Sequence, residues 1–239
     1  MQIFIVFHKY IFDECYVSIP DDILKKYFTF IAVNETIPKY YTPNKYNIIN
    51  EWELPIYDKT FQEKGYNENS AIYHVFINNL HKNYKQIGFF QYDMIFKSNI
   101  IDNIINTKND INIENICYCI MPRDYNFCTN ITWKEPNTAD FIINDFECYY
   151  KKVFDKNKPG PLLNSFIITS ENYDKIMKWV TQLYDKLYPW CVQPPNWSYK
   201  GHIGNIYERV MAYAISQFSN NIELLNITHD EGHFKSRCY

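Results

Sequence analysis

Asp93 is the first residue that asks for an explanation. In the stretch KQIGFFQYDMIF, an apolar run from Ile87 empties into Gln91-Tyr92-Asp93, and apolar residues resume behind it. A carboxylate closing a buried strand either turns the chain at the surface or offers oxygen to a cation, because Mg²⁺ and Mn²⁺ take carboxylate oxygens. Two further runs end in the same way. IFIVFHKY passes from Phe7 into His8 and Lys9, and YFTFIAVN ends at Asn34 and Glu35. Open parallel sheets bind ligands outside the carboxyl ends of their strands, so these residues are predicted to edge a crevice with Asp93.

Other chemistry-bearing residues give weaker signals. Cys117 and Cys119, with Cys128 beyond, lack zinc-knuckle spacing, and alternation in an apolar strand predicts two buried thiols on one face. His74 and His81, two helical turns apart, predict a helix face rather than a metal pair. No GxGxxG, GxxxxGK[ST], GxSxG or HExxH occurs, which removes the common nucleotide, serine-hydrolase and zinc-protease motifs.

The elements that must position these residues follow from apolar periodicity. The runs at Ile3–Tyr10 and Tyr27–Asn34 are continuous, as in strands buried on both faces. Pro38, Pro43 and Pro55 among scattered aromatics predict an ordered loop. From Asn69 to Tyr84, apolar residues at spacings of three and four predict a helix capped by Asn69 or Ser70. ICYCIMPRDYN reads as a strand and loop, and PGPLLNSFIIT as a turn and strand. SENYDKIMKWVTQLYDKLY reads as an amphipathic helix, capped by Ser170 and ended by Pro189. A last helix spans Asn205–Phe218, followed by a short strand, IELLNITHD, and a His-bearing tail. This order predicts an α/β fold with a mostly parallel central sheet flanked by helices, Rossmann-like in type. The 239 residues suit one domain, 1–239, standing alone or within a longer chain.

Composition narrows the partners. With 24 basic and 27 acidic residues and no basic stripe, the chain gives no sign of binding nucleic acid. No apolar run approaches the roughly 18 residues of a membrane span, and MQIFIVFHKY turns polar too early for a signal peptide. Seven cysteines, an odd number without an export signal, predict reduced thiols and a cytoplasmic setting, in a host cell or virion if the chain is viral.

Three patches carry a resemblance. NENSAIYHVFINNLHKNYKQIGFFQYDMIF resembles the helix-strand unit leading to the donor site in small GT-A-type glycosyltransferase domains of bacterial polysaccharide loci and large DNA viruses. Glu68, Asn69, Tyr73, Gly88 and Tyr92 fit its outline. HIGNIYERVMAYAI resembles the Gly-x-x-x-Glu-Arg start of a late helix in such domains, and IFIVFHKY their first strand. The Pro-rich insertion and the region from Asn99 to Lys158 match nothing of the kind. GT-A enzymes usually carry Asp-x-Asp where this chain has Gln91-Tyr92-Asp93, which leaves one carboxylate for the metal.

The resemblance implies transfer of a sugar from a nucleotide-sugar donor, a UDP-sugar first, to a hydroxyl of a glycan acceptor, with Mn²⁺ or Mg²⁺ and with inversion. It implies a donor site of Phe7, His8, Asn34, Asn69, Tyr73, Gln91, Tyr92 and Arg209. Asp93 and a C-terminal histidine would hold the metal, His233 ahead of His229 because Gly232 lets the chain turn back. Glu208 would be the general base. Trp190, Trp197 and Tyr199, in a Pro-rich loop, would stack on the acceptor. The alternatives are a catalytically silent nucleotide- or carbohydrate-binding domain on the same fold, and a structural protein.

Overall fold

Six of the seven strands in the central sheet run in one direction, and the middle ones are buried on both faces. The computed structural model describes residues 1–97, 116–126, 138–192 and 202–229. The described strands are β1 (Gln2–Phe7), β2 (Phe28–Ala32), β3 (Ile48–Asn50), β4 (Gln86–Gln91), β5 (Met94–Ile95), β6 (Ile116–Cys119), β7 (Pro122–Arg123), β8 (Gly160–Pro161), β9 (Phe166–Thr169), β10 (Asn221–Leu224) and β11 (Thr228–His229). The helices are α1 (Asp21–Tyr27), α2 (Thr60–Lys64), α3 (Glu68–Ile77), α4 (Thr138–Tyr150), α5 (Ser170–Val192) and α6 (His202–Phe218).

The sheet order is β10-β6-β9-β4-β1-β2-β3, with β9 antiparallel to both its neighbours. Strand alternation sends Ile3, Ile5 and Phe7 to one face with Phe28 and Phe30. Phe4 and Val6 go to the other, with Ile31, Ile87 and Phe89. Helices α3, α5 and α6 cover that second face through Ile72, Val75, Ile176, Val180, Ile206 and Val210. Phe12, Tyr16, Leu24, Tyr46 and Phe96 cover the first. With both faces closed, polar side chains reach ligand only where the strands end. Among the described residues, no helix is long and apolar enough to cross a membrane.

The α/β architecture with a mostly parallel sheet agrees with the sequence reading, and several details correct it. Pro189 does not end its helix: α5 runs three residues further, to Val192, so the lost N–H bond and the ring clash fall in its last turn, where helices fray in any case. Ser170 is not its cap; Thr169 Oγ1 accepts the Asn172 N–H at 3.1 Å. Asn69 and Ser70 do not cap α3 either, because the helix begins at Glu68 and carries both inward. The helical reading to Tyr84 breaks at Asn78, beyond which Leu80–Asn83 is a separate 3₁₀ turn. The Pro-rich loop contains the edge strand β3. His74 and His81 form no open helix face; they are 0% and 1% exposed. Cys117 and Cys119 are buried thiols in one cluster, as alternation predicts.

Candidate active site

Strands β1, β2 and β4 empty at one edge of the sheet, and Lys39 fixes two of these ends. Its Nζ donates to the carbonyl oxygens of Val33 at 2.6 Å, Asn34 at 2.7 Å and His8. Burial pulls the Lys39 ammonium down to about 8, against the opposing charge of Glu51. Asn34 sits in the left-handed region at φ 63°, its Oδ1 accepting the Thr36 hydroxyl at 2.8 Å. Past β1, His8 Nε2 lies 3.4 Å from Glu68 Oε1, and the imidazole meets the Tyr92 ring edge-on at 6.3 Å. Burial works to raise the Glu68 carboxyl, but the hydrogen bond and charge of His8 hold it below its usual value.

Asp93 lies just beyond β4 and is 4% exposed. Its Oδ2 stands 3.1 Å from His229 Nε2, while Oδ1 is buried without a partner among the described residues. The contact spans 136 positions of sequence and exists because β11 pairs antiparallel with β5, His229 opposite Met94. Lys97 Nζ reaching Asn226 Oδ1 at 3.2 Å adds a second tie. Buried polar atoms are nearly always hydrogen-bonded, so an orphaned carboxylate oxygen beside an imidazole fits a divalent cation accepting both oxygen and nitrogen. Among the described residues, no group of three or more His, Cys, Asp or Glu side chains forms a complete metal cage.

Glu208, in the second turn of α6, is 8% exposed. Its Oε1 accepts the Leu163 N–H at 2.8 Å and a hydrogen bond from Arg209 Nη1. Burial pushes the Glu208 carboxyl up; the Arg209 charge and the Leu163 amide pull it back, and the charge of Glu68 adds to the rise. Glu208 thus feels the charge of Glu68, and the two carboxyls shift in opposite directions. Such splitting is how two carboxyls acquire different roles.

The remaining sequence candidates divide. Phe7 is 0% exposed and belongs to the core; turning its ring out to a ligand would cost about 1.5–3 kcal/mol. Asn69 is 1% exposed, and its Nδ2 donates to Tyr66 O at 3.2 Å and Gly204 O at 3.0 Å, joining α3 to α6. Tyr73 stacks on Phe61 at 4.1 Å and meets Tyr184 edge-on, so it packs α3 against α2 and α5. Gln91 and Tyr92 lie at the crevice, half-buried. Trp197, Tyr199, Gly201, His233 and the side chain of Trp190 lie outside what is described.

Beneath the crevice, His74 Nε2 accepts the Asp58 N–H at 2.9 Å, so Nδ1 carries the proton and donates to Glu51 Oε1 at 2.8 Å. Ser70 Oγ at 2.5 Å and Gln62 Nε2 at 3.0 Å complete the donors to this wholly buried carboxylate. The cluster ties the chain after β3 to α3.

No protein-family model and no curated protein matches the chain. Among solved structures, the apo bifunctional glycosyltransferase WbbM superposes with a TM-score of 0.62 at 13% identity, over 95% of this chain and 45% of that one. The fold is GT-A-like. This chain spans under half the length of that protein. Two others match at lower scores. Mouse xyloside xylosyltransferase 1, apo form, gives 0.44 at 13% identity over 94% and 84% of the two chains. The galactosyltransferase LgtC, in complex with donor and acceptor sugar analogues, gives 0.42 at 10% over 95% and 73%.

Sequence reasoning singled out neither Lys39 nor the Leu163–Asn164 turn, and it placed His229 behind His233, which lies outside the described residues. Lys39 lies in a Pro-rich loop with no periodic signal. The turn before β9 reaches the crevice only because β9 runs antiparallel, which its own residues do not announce. His229 carries a weak cue in the strand-like Ile227-Thr228-His229 segment.

Proposed function

We propose that the chain is a glycosyltransferase catalytic domain, moving a sugar from a UDP-sugar to a glycan hydroxyl with inversion, assisted by Mn²⁺ or Mg²⁺. The observation that carries this reading is the buried Asp93 carboxylate, orphaned at Oδ1 and 3.1 Å from His229 at Oδ2, on a GT-A-like fold. Asp93 and His229 would hold the cation, which supplies Lewis-acid neutralisation of charge on the leaving diphosphate. His8 and Tyr92 border the donor at the ends of β1 and β4. Glu208, its Oε1 fixed by Leu163 and Arg209, takes the proton of the acceptor hydroxyl on Oε2 as the new bond to the anomeric carbon forms and the bond to the diphosphate breaks. Burial, with a smaller push from the Glu68 charge, raises the Glu208 carboxyl and so makes its carboxylate the more basic.

A UDP titration with and without Mn²⁺ tests the shared site. Wild type should bind UDP more tightly with the cation, and Asp93→Ala should lose that gain, roughly tenfold to a hundredfold for a charge-assisted contact of about 1.5–3 kcal/mol. Equal affinities in the two proteins would return Asp93 to the role of a turn residue. Gln91, standing where a second carboxylate is usual, favours the silent binding domain as the second reading. UDP binding without release of free UDP from any UDP-sugar and acceptor would select it.

A further inference from the structure

The turn before β9 holds a buried polar group that the reaction above does not use. Asn164 is 4% exposed, and its Oδ1 has no partner among the described residues. Because β9 is antiparallel, its start lies at the carboxyl edge of the sheet, with Phe166 opposite Phe89. Asn164, two residues before Phe166, therefore stands beside the exit of β4 that leads through Gln91 to Asp93. The preceding residue, Leu163, gives its N–H to Glu208 Oε1, so the same turn touches the carboxylate assigned to the acceptor.

The turn is held under strain. Leu163 and Asn164 have φ of 64° and 47°, and a branched side chain in the left-handed region costs about 1–3 kcal/mol. Ser165 Oγ donating to Leu163 O at 2.9 Å, with the Glu208 contact, keeps it so. Backbone conformation accounts for an asparagine there, since it tolerates that region, but glycine would do the same without burying a polar group. An unpaired buried carbonyl costs about 1–3 kcal/mol, and a ligand donor removes that penalty.

We propose that Asn164 reads sugar in this crevice, its carboxamide oxygen accepting a hydrogen bond from a ring hydroxyl. The proposal rests on the glycosyl-transfer reading. The hydroxyl has two sources, the sugar of the donor or that of the acceptor, which share this chemistry.

Asn164→Gly removes the carboxamide while suiting the backbone, so thermal melting should hold at or above the wild-type midpoint. Asn164→Asp keeps an acceptor oxygen in the same place. With Mn²⁺ present, UDP, UDP-glucose, UDP-galactose and UDP-N-acetylglucosamine are titrated into each protein. Methyl glucoside and methyl galactoside are then followed by saturation-transfer NMR with UDP bound. For a donor hydroxyl, Asn164→Gly binds UDP as wild type does but loses roughly tenfold of the preference for the sugar nucleotide, about one hydrogen bond, and Asn164→Asp retains it. For an acceptor hydroxyl, donor binding is unchanged and the methyl glycoside signal disappears in Asn164→Gly alone. Wild-type behaviour of Asn164→Gly in both arms overturns the proposal and leaves the glycosyl-transfer reading standing. A wild-type protein that binds neither UDP nor any UDP-sugar overturns that reading, and this inference with it.

Discussion

Glu208 combines burial with a second oxygen, Oε2, that its bonds to Leu163 and Arg209 leave aside, and its protonation decides what it can do. Glu208→Gln preserves the acceptor oxygen for Leu163 but cannot take a proton, so turnover should fall by roughly two orders of magnitude or more, with UDP affinity unchanged. Near-normal transfer by this variant would remove Glu208 from the chemistry and pass the role to Asp140, Asp145 or Glu147 for testing. Burial raises its carboxyl above the usual 4.5, so kcat/KM should climb with pH through a limb lying above that value. A profile flat from pH 4.5 upward would contradict the assignment. The linkage to stability has the opposite sense: the folded chain favours protonated Glu208, a contribution complete below 4.5 and lost as pH rises through the raised value. The sequence offers Glu208 as Glu-Arg after a glycine-bearing loop, but neither its burial nor its bond to Leu163 is legible there. The bond from Asn69 Nδ2 to Gly204 O is not legible, because nothing local shows a contact 135 positions away.

Helices α3 and α6 start side by side, and their closeness sets the spacing of Glu68 and Glu208. Gly204 permits it: a Cβ there would stand 2.9 Å from Asn67 Nδ2, 3.0 Å from Tyr66 O and 3.1 Å from Gly65 O. Two of these neighbours are backbone atoms and cannot swing aside. Gly204→Ala should therefore push the helix starts apart, lower stability by about 1–3 kcal/mol in urea unfolding, and reduce turnover more than UDP affinity. Unchanged turnover would mean that the two carboxyls need no fixed separation. The long buried strands were legible because a short continuous apolar run bounded by turn residues fits little besides a strand covered on both faces. Strand β3 was not, being three half-buried residues at an edge; β5 has two residues, too short for any period to register, and IELLNITHD, read as one strand, divides into β10 and β11.

Across the whole molecule, the crevice is assembled from distant parts of the chain. Asp93 is supplied by the parallel half of the sheet and His229 by a segment that first passes through β10, then gives the Leu225 N–H to Cys119 O at 2.8 Å before pairing with β5. His229→Ala should weaken Mn²⁺-dependent UDP binding roughly tenfold while UDP alone binds as before. Binding equal to wild type would remove His229 from the cation site. The distance between these partners along the chain also governs when they can meet. On a ribosome adding about 5–20 residues per second, the 136 positions from Asp93 to His229 take roughly seven to twenty-seven seconds to emerge. The nascent domain can lay down β1, β2 and β4 in that interval while Asp93 still lacks its imidazole partner. Competence therefore arrives late in synthesis, after the scaffold that will use it.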